Sequence, residues 1–172
     1  MDYKRQFVIP FGGLKLGHHQ FDFEIGDKFF AALDYSEIRN GSLKVELKLE
    51  KQPRMLQLVF DISGSVEVIC DRCLDPVDCP VNGTNVLFVK FGKEYEEESE
   101  DVIVIPETQT QLDVMHYIYE FISLLMPYRH VHPEDKNGKS SCDPHVIKKL
   151  EELTPSQSID SRWDALKNIE ID

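Results

Sequence analysis

The sequence predicts an α+β fold: a curled antiparallel sheet of five or six strands covered by one long helix, with a short helical C-terminal region. Three observations carry this. Residues 43–50, LKVELKLE, alternate strictly between apolar and charged side chains, as a strand with one dry and one wet face does. A second run keeps Leu56, Leu58, Phe60, Ile62, Val66, Val68 and Cys70 in one phase. Residues 112–126, LDVMHYIYEFISLLM, are apolar around most of a helix that stops at Pro127.

Taken in order, RQFVIPF (5–11) and QFDFEI (20–25) read as strands, followed by a short helix near Asp27–Leu33. The 43–50 strand ends at Lys51-Gln52-Pro53-Arg54, because proline fixes φ and cannot donate to a ladder. Gly64 sits at an inward position of the next strand, where a bulge or sharp bend would let so long a strand curl. That leaves a partly closed barrel as an alternative to an open sheet. Extended character resumes after Asp75-Pro76 through Val77–Phe91, with an irregularity expected at Asn82-Gly83, so the three runs form an antiparallel meander. Six acids among the eight residues from Glu94 to Asp101 predict an exposed loop, and DVIVI (101–105) a short strand ended by Pro106.

On the 112–126 helix Asp113, His116, Glu120 and Ser123 share one face, read as a solvated polar stripe in preference to a metal pair. Its other sides must be buried by the sheet or by a partner. Residues 128–143 have loop composition, and a short helix is expected from Pro144 to about Leu153. In the tail Asp160 or Ser161 can cap a last helix whose Trp163, Leu166 and Ile169 would dock it. The expected organisation is a core domain over residues 1–127, with 128–172 docked on it.

The 172 residues suit one domain, and 41% hydrophobic with 29% charged residues is the balance of a folded chain, not a fibrous one. The net charge of −12 is uneven: residues 1–52 carry eight acids and eight bases, whereas 94–172 carry eighteen acids against seven bases. Such a surface repels phosphate at long range and favours basic protein partners over loose nucleic-acid binding. The N-terminus lacks the apolar run of a signal peptide, and no window approaches the ~18 apolar residues of a membrane span. A cytoplasmic location is therefore expected, where Cys70, Cys73, Cys79 and Cys142 stay reduced.

VEVICDRCLDPV (66–77) places two cysteines three positions apart at a strand end. A redox pair would need its first cysteine at a helix N-terminus, yet Leu-Asp-Pro-Val after Cys73 reads as a turn between strands. Zinc needs four ligands in a tetrahedron, and this pair supplies half of one. Cys142 is the obvious third ligand, in a polar loop with His130, His132 and His145 near it, and Cys79 competes. Plain core thiols are the remaining reading, since Cys70 lies on the inward phase.

These stretches, with QLDVMHYIYEFISLLMP, the histidine-containing loop and DSRWDALKNI, closely resemble the YceD family of large ribosomal RNA subunit accumulation proteins, from about Gly64 to Ile169. The resemblance implies a bacterial, cytoplasmic, non-enzymatic factor that supports 23S rRNA accumulation and large-subunit assembly. Some relatives carry further cysteines in the C-terminal loop, suggesting a metal site, whereas this chain keeps Cys142 with neighbouring histidines. The candidate Zn2+ ligands are Cys70, Cys73, Cys142 and His132, with His130 or Cys79 as alternatives.

For mechanism, the acidic half suggests a grip on a basic ribosomal protein or assembly factor. Direct contact with rRNA through Arg72 and Arg129, beside Lys90 and Lys93, is the alternative. Pairing of Arg72 with Asp71, Asp75 or Asp78 is the plainer account of that side chain. A zinc-dependent hydrolase around His130, His132 and Cys142 would need an open coordination position and a general base, and no such base stands out. The sequence also carries no phosphate-binding glycine loop, nucleotide fingerprint or nucleophile elbow, and no basic-aromatic interleaving of the RNA-reading kind.

Overall fold

The strictly alternating runs become the centre of one long meander in the computed structural model, which describes residues 3–154 except 135 and 137. The expected helix at 160–169 lies outside the described residues. Short 3-10 turns at Tyr3–Phe7 and Phe11–Gly13 flank β1 (Val8–Ile9). There follow β2 (Gly17–Ile25), α1 (Asp27–Ala31), β3 (Asn40–Lys51), β4 (Met55–Ile69), β5 (Pro76–Gly92), β6 (Glu96–Ser99), β7 (Val102–Pro106), β8 (Leu112–Asp113), α2 (Met115–Leu125) and α3 (Pro144–Leu153). Six strands form one sheet in the order β2-β3-β4-β5-β7-β6, and β1 pairs with β8 in a separate two-stranded ribbon.

Period-two alternation sends one set of side chains inward. Leu43, Val45, Leu47 and Leu49 on β3, Leu56, Leu58, Phe60 and Ile62 on β4, Leu87 and Val89 on β5, and Ile103 and Ile105 on β7 are all buried. The apolar sides of α1 and α2, with the N-terminal turns, complete this core. Phe60 meets Phe121 of α2 edge to face with centroids 5.0 Å apart, and Phe7 packs against Phe23 and Phe29. Each such side chain withdrawn from water contributes roughly 1.5–3 kcal/mol. The polar stripe of α2 is outside, with His116 and Glu120 exposed and His116 Nδ1 at 2.9 Å from the Tyr35 hydroxyl.

Several expectations change. The sheet is mixed, because β7 runs parallel to β5, and it is open, with β2 and β6 at its edges in place of a closed or partly closed barrel. The acidic segment is not all loop: Glu96–Ser99 pairs antiparallel with β7 as the exposed edge strand, where charged side chains discourage edge-to-edge association. The long helix is shorter, eleven residues from Met115, because Leu112 and Asp113 pair with β1. Only Val8–Ile9 of the 5–11 stretch is strand.

Gly64 makes no bulge, since the register from Asn40↔Glu67 to Lys51↔Leu56 runs through it unbroken. Its φ of +145° and the approach of Ser42, whose carbonyl oxygen would lie 2.2 Å from an added Cβ, are what demand glycine there. β5 likewise runs unbroken through Asn82-Gly83, where Gly83 leaves space for the Leu125 side chain.

Candidate metal centre

The corner between β4 and β5 is built by Cys70–Asp75. Leu74 N–H donates to the Cys70 carbonyl at 3.0 Å and Cys70 N–H to the Asp75 carbonyl at 2.9 Å. Leu74 itself takes φ +64° and stands 74% exposed, the left-handed step that turns the chain into β5. The corner folds both cysteine sulfurs to one side, and Arg72 N–H points at Cys70 Sγ from 3.4 Å.

The segment after α2 supplies the other half. Asp71 N–H donates to the His130 carbonyl and His130 N–H to Asp71 Oδ2, both at 2.7 Å, which fixes this segment against the corner. Side chains two apart on extended backbone point opposite ways. His132 turns to the sulfurs, while His130 lines a groove of about 620 Å3 with Ile38, Glu67 and Ile69, its buried Nε2 without a hydrogen-bond partner among the described residues. An isolated antiparallel bridge, Glu134↔Ser140, precedes Cys142, which lies just before α3.

The ligand atoms of Cys70, Cys73, His132 and Cys142 all lie within 4.8 Å of one another. Cys70 Sγ is 3.8 Å from Cys142 Sγ, and His132 Nδ1 is 3.4 Å from Cys73 Sγ and 3.7 Å from Cys142 Sγ. A zinc tetrahedron with ordinary bond lengths has S–S edges of about 3.8 Å and S–N edges of about 3.6 Å. The four residues therefore fit a tetrahedral metal ion. His132 Nε2 donates to the Pro76 carbonyl at 3.1 Å, which leaves the Nδ1 lone pair free toward the sulfurs.

The electrostatics favour the thiolate at two of the three clustered cysteines. Burial alone would raise the Cys70 thiol, but the N–H groups of Cys73, Arg72 and His132 and the His132 ring outweigh it and bring the pKa down to about 6. Cys142 is held below the usual thiol range, first by the Ser140 hydroxyl and then, against burial, by His132. Burial pushes Cys73 up. The sulfurs of Cys70 and Cys142 favour a proton on His132 and raise it.

Of the other candidates, Cys79 is buried in the main core, apart from the cluster, and burial raises its thiol. Arg72 donates Nη1–H to Ser140 Oγ at 3.1 Å, and among the described residues no ion pair joins it to Asp71, Asp75 or Asp78. Ser140 Oγ also accepts from Cys142 N–H at 3.2 Å, so Arg72 braces a ligand's backbone. Arg129 is exposed, and His145 opens α3 with its N–H on Asp143. Sequence reasoning overlooked Ser140, for which a serine two residues before Cys142 was the available signal, and named Asp71 only as a partner for Arg72, not for His130.

A family model described as "Large ribosomal RNA subunit accumulation protein YceD" matches residues 58–170, a span that holds all four clustered residues. No curated protein and no solved structure matches the chain.

Proposed function

Since the chain belongs to the YceD family, whose described role is large ribosomal RNA subunit accumulation, we propose that it is a non-enzymatic factor for 23S rRNA accumulation and large-subunit assembly, acting by binding a basic ribosomal protein or assembly factor. Zinc held by Cys70, Cys73, His132 and Cys142 clamps residues 128–154 to the sheet corner. The observation that carries the non-catalytic reading is the completeness of the ligand set. Three sulfurs and one imidazole fill a tetrahedron, so a metal bound there has no open position for a substrate or an activated water.

Bound zinc would supply charge to hold the thiolates and a rigid joint between distant parts of the chain. The protein's own residues do the rest: Pro76 orients His132, and Arg72 with Ser140 orients Cys142. The excess acid in residues 94–172 suits a basic protein ligand.

The test is genetic and analytical together. Cells lacking the chain should show a lowered 23S to 16S rRNA ratio, restored by the wild type and poorly by Cys70→Ser or Cys142→Ser. The purified wild type should carry near-stoichiometric zinc, which both variants lose. An unchanged rRNA ratio would overturn the ribosomal reading; metal-free wild-type protein would overturn the clamp.

A further inference from the structure

The outer face of the sheet is divided. Over β2 and β3 it is polar, with Asp22, Glu24, Lys44 and Lys48 pointing outward. Over β4, β5 and β7 the outward positions carry Val59, Val86, Phe88, Val102 and Val104. The register makes them neighbours: Val59 stands opposite Val86, and Phe88 opposite Val102, with Val104 one repeat further along β7. All five are half-buried and out of phase with the core, and none belongs to either buried apolar cluster. They shield one another, and among the described residues neither helix-packed core reaches them.

Acid borders this patch on both sides. On the β6 edge Glu96 pairs in register with Val104, and the nearby Glu98 engages Lys90. On the β3 and β4 side Glu46 and Asp61 share, among the described residues, a single ion-paired cation, Lys48. Each rim therefore keeps uncompensated negative charge around an apolar centre. From β6 to β3 the sheet crosses four strand spacings of about 4.8 Å, and the register sets Glu96 level with Lys90 of β5 but Glu46 and Asp61 level with Thr84, about 20 Å further along the strand; the rims are thus roughly 27 Å apart on a diagonal, the reach of about eight extended residues.

We propose that this face docks a protein segment with an apolar centre and lysine or arginine at both ends, lying diagonally across the strands. Apolar side chains cover Phe88 and its neighbours while the cations meet Glu96 and Glu98 at one rim and Glu46 and Asp61 at the other. The inference rests on the reading of the chain as a binder of basic proteins, and it says where and by what chemistry the grip occurs. A phosphate backbone is disfavoured by the same rims that attract the cations.

The probe is a fluorescein-labelled peptide Lys-Arg-Val-Ile-Val-Ile-Val-Lys-Arg added to the full chain, read by anisotropy at low and moderate salt. Two control peptides replace the cations by glutamate or the apolar residues by serine. The expected result is saturable binding of the first peptide only, weakened at least about tenfold between 50 and 300 mM salt. The double variant Phe88→Thr/Val104→Thr, which keeps strand propensity, should weaken it about tenfold or more while the circular-dichroism melt stays cooperative. Glu96→Gln/Glu98→Gln should flatten the salt dependence.

Equal binding of all three peptides, or indifference to Phe88→Thr/Val104→Thr, overturns the proposal. So does a light-scattering mass of two chains that falls to one in that variant, which assigns the face to a second copy. A shift of Trp163 emission in the variant without peptide assigns it to the chain's own C-terminal residues, and binding of a labelled rRNA fragment lost in the variant assigns it to RNA; each overturns the proposal. The rRNA ratio in cells lacking the chain is read separately, so failure of the ribosomal reading and failure of this surface give different results.

Discussion

Phe60 and Cys142 are both buried, but different forces hold them there. Phe60, in the middle of β4, lies beside Leu47 on the neighbouring strand and under Phe121 of α2, inside a cluster that joins β2, β3, β4, β5 and β7 to α1, α2 and the N-terminal turns. Among the described residues Cys142 belongs to a cluster of four buried residues, three of them cysteines, with only Val68, Val131, Val146 and Ile147 partly packed on it. The helix that follows, α3, buries none of its residues fully. Apolar burial is ample for the sheet and meagre for residues 128–154. Under the proposed clamp the second region depends on four ligand atoms and a few hydrogen bonds, so metal content should be coupled to its order and hardly to that of the sheet.

The largest effect expected is on the sheet side. Phe60→Ala should cost about 3–5 kcal/mol in urea unfolding, with the same loss whether or not zinc is present. Gly64→Ala belongs to the same class, because its Cβ would meet the Ser42 backbone and not a movable side chain. A loss for Phe60→Ala that disappears on chelation would mean that the two regions unfold as one unit, and the comparison would be broken.

Chelation comes next. Stripping the metal should leave the cooperative unfolding of the sheet nearly in place, yet speed amide exchange over residues 128–154 on the order of a hundredfold and open them to protease. Cys142→Ser should reproduce this without chelator. Protection unchanged in 128–154 would show that the hydrogen bonds between Asp71 and His130 and the few apolar contacts suffice on their own.

This difference also explains what the sequence disclosed. β3, β4 and β5 were legible because one face of each is dry, so every second residue reports the core. β6 was not, because all four of its side chains are exposed and its strand character lives only in backbone pairing with β7. The parallel pairing of β5 with β7 was hidden for a related reason: local periodicity says that a segment is extended, not which neighbour it meets. At the corner, the spacing of Cys70 and Cys73 was readable as half a ligand set. The sequence reading put His132 ahead of His130, but the reason lies in the backbone exchange with Asp71, which sets which of two alternating side chains faces the sulfurs. The bracing of Cys142 through Arg72 and Ser140 spans 68 residues and left no local trace.

That brace gives a sharper test of how the corner is held. Arg72→Ala removes the donor to Ser140 but leaves all four ligands, so zinc should still bind, with dissociation to a chromogenic chelator about tenfold faster. Arg72→Lys keeps the charge but not the planar fork, so only a partial rescue is expected. Should Arg72→Ala bind rRNA or a basic protein less well while releasing zinc at the wild-type rate, the side chain serves an external ligand instead.

The smallest effect is the most discriminating between the two regions. Cys79 is buried like the other three cysteines, but among the described residues its sulfur has only the Pro80 carbonyl at 3.9 Å and apolar neighbours, and burial raises the thiol. Cys79→Ala should therefore behave as an ordinary core truncation, costing about 1 kcal/mol, with metal stoichiometry and exchange protection of residues 128–154 unchanged. Because Val81 and Val66 stay buried around it, the loss should appear in the urea midpoint alone. Loss of zinc in this variant would show that Cys79 can replace one of the clustered cysteines, and the division between an apolar sheet and a ligand-held corner would have to be redrawn along β5.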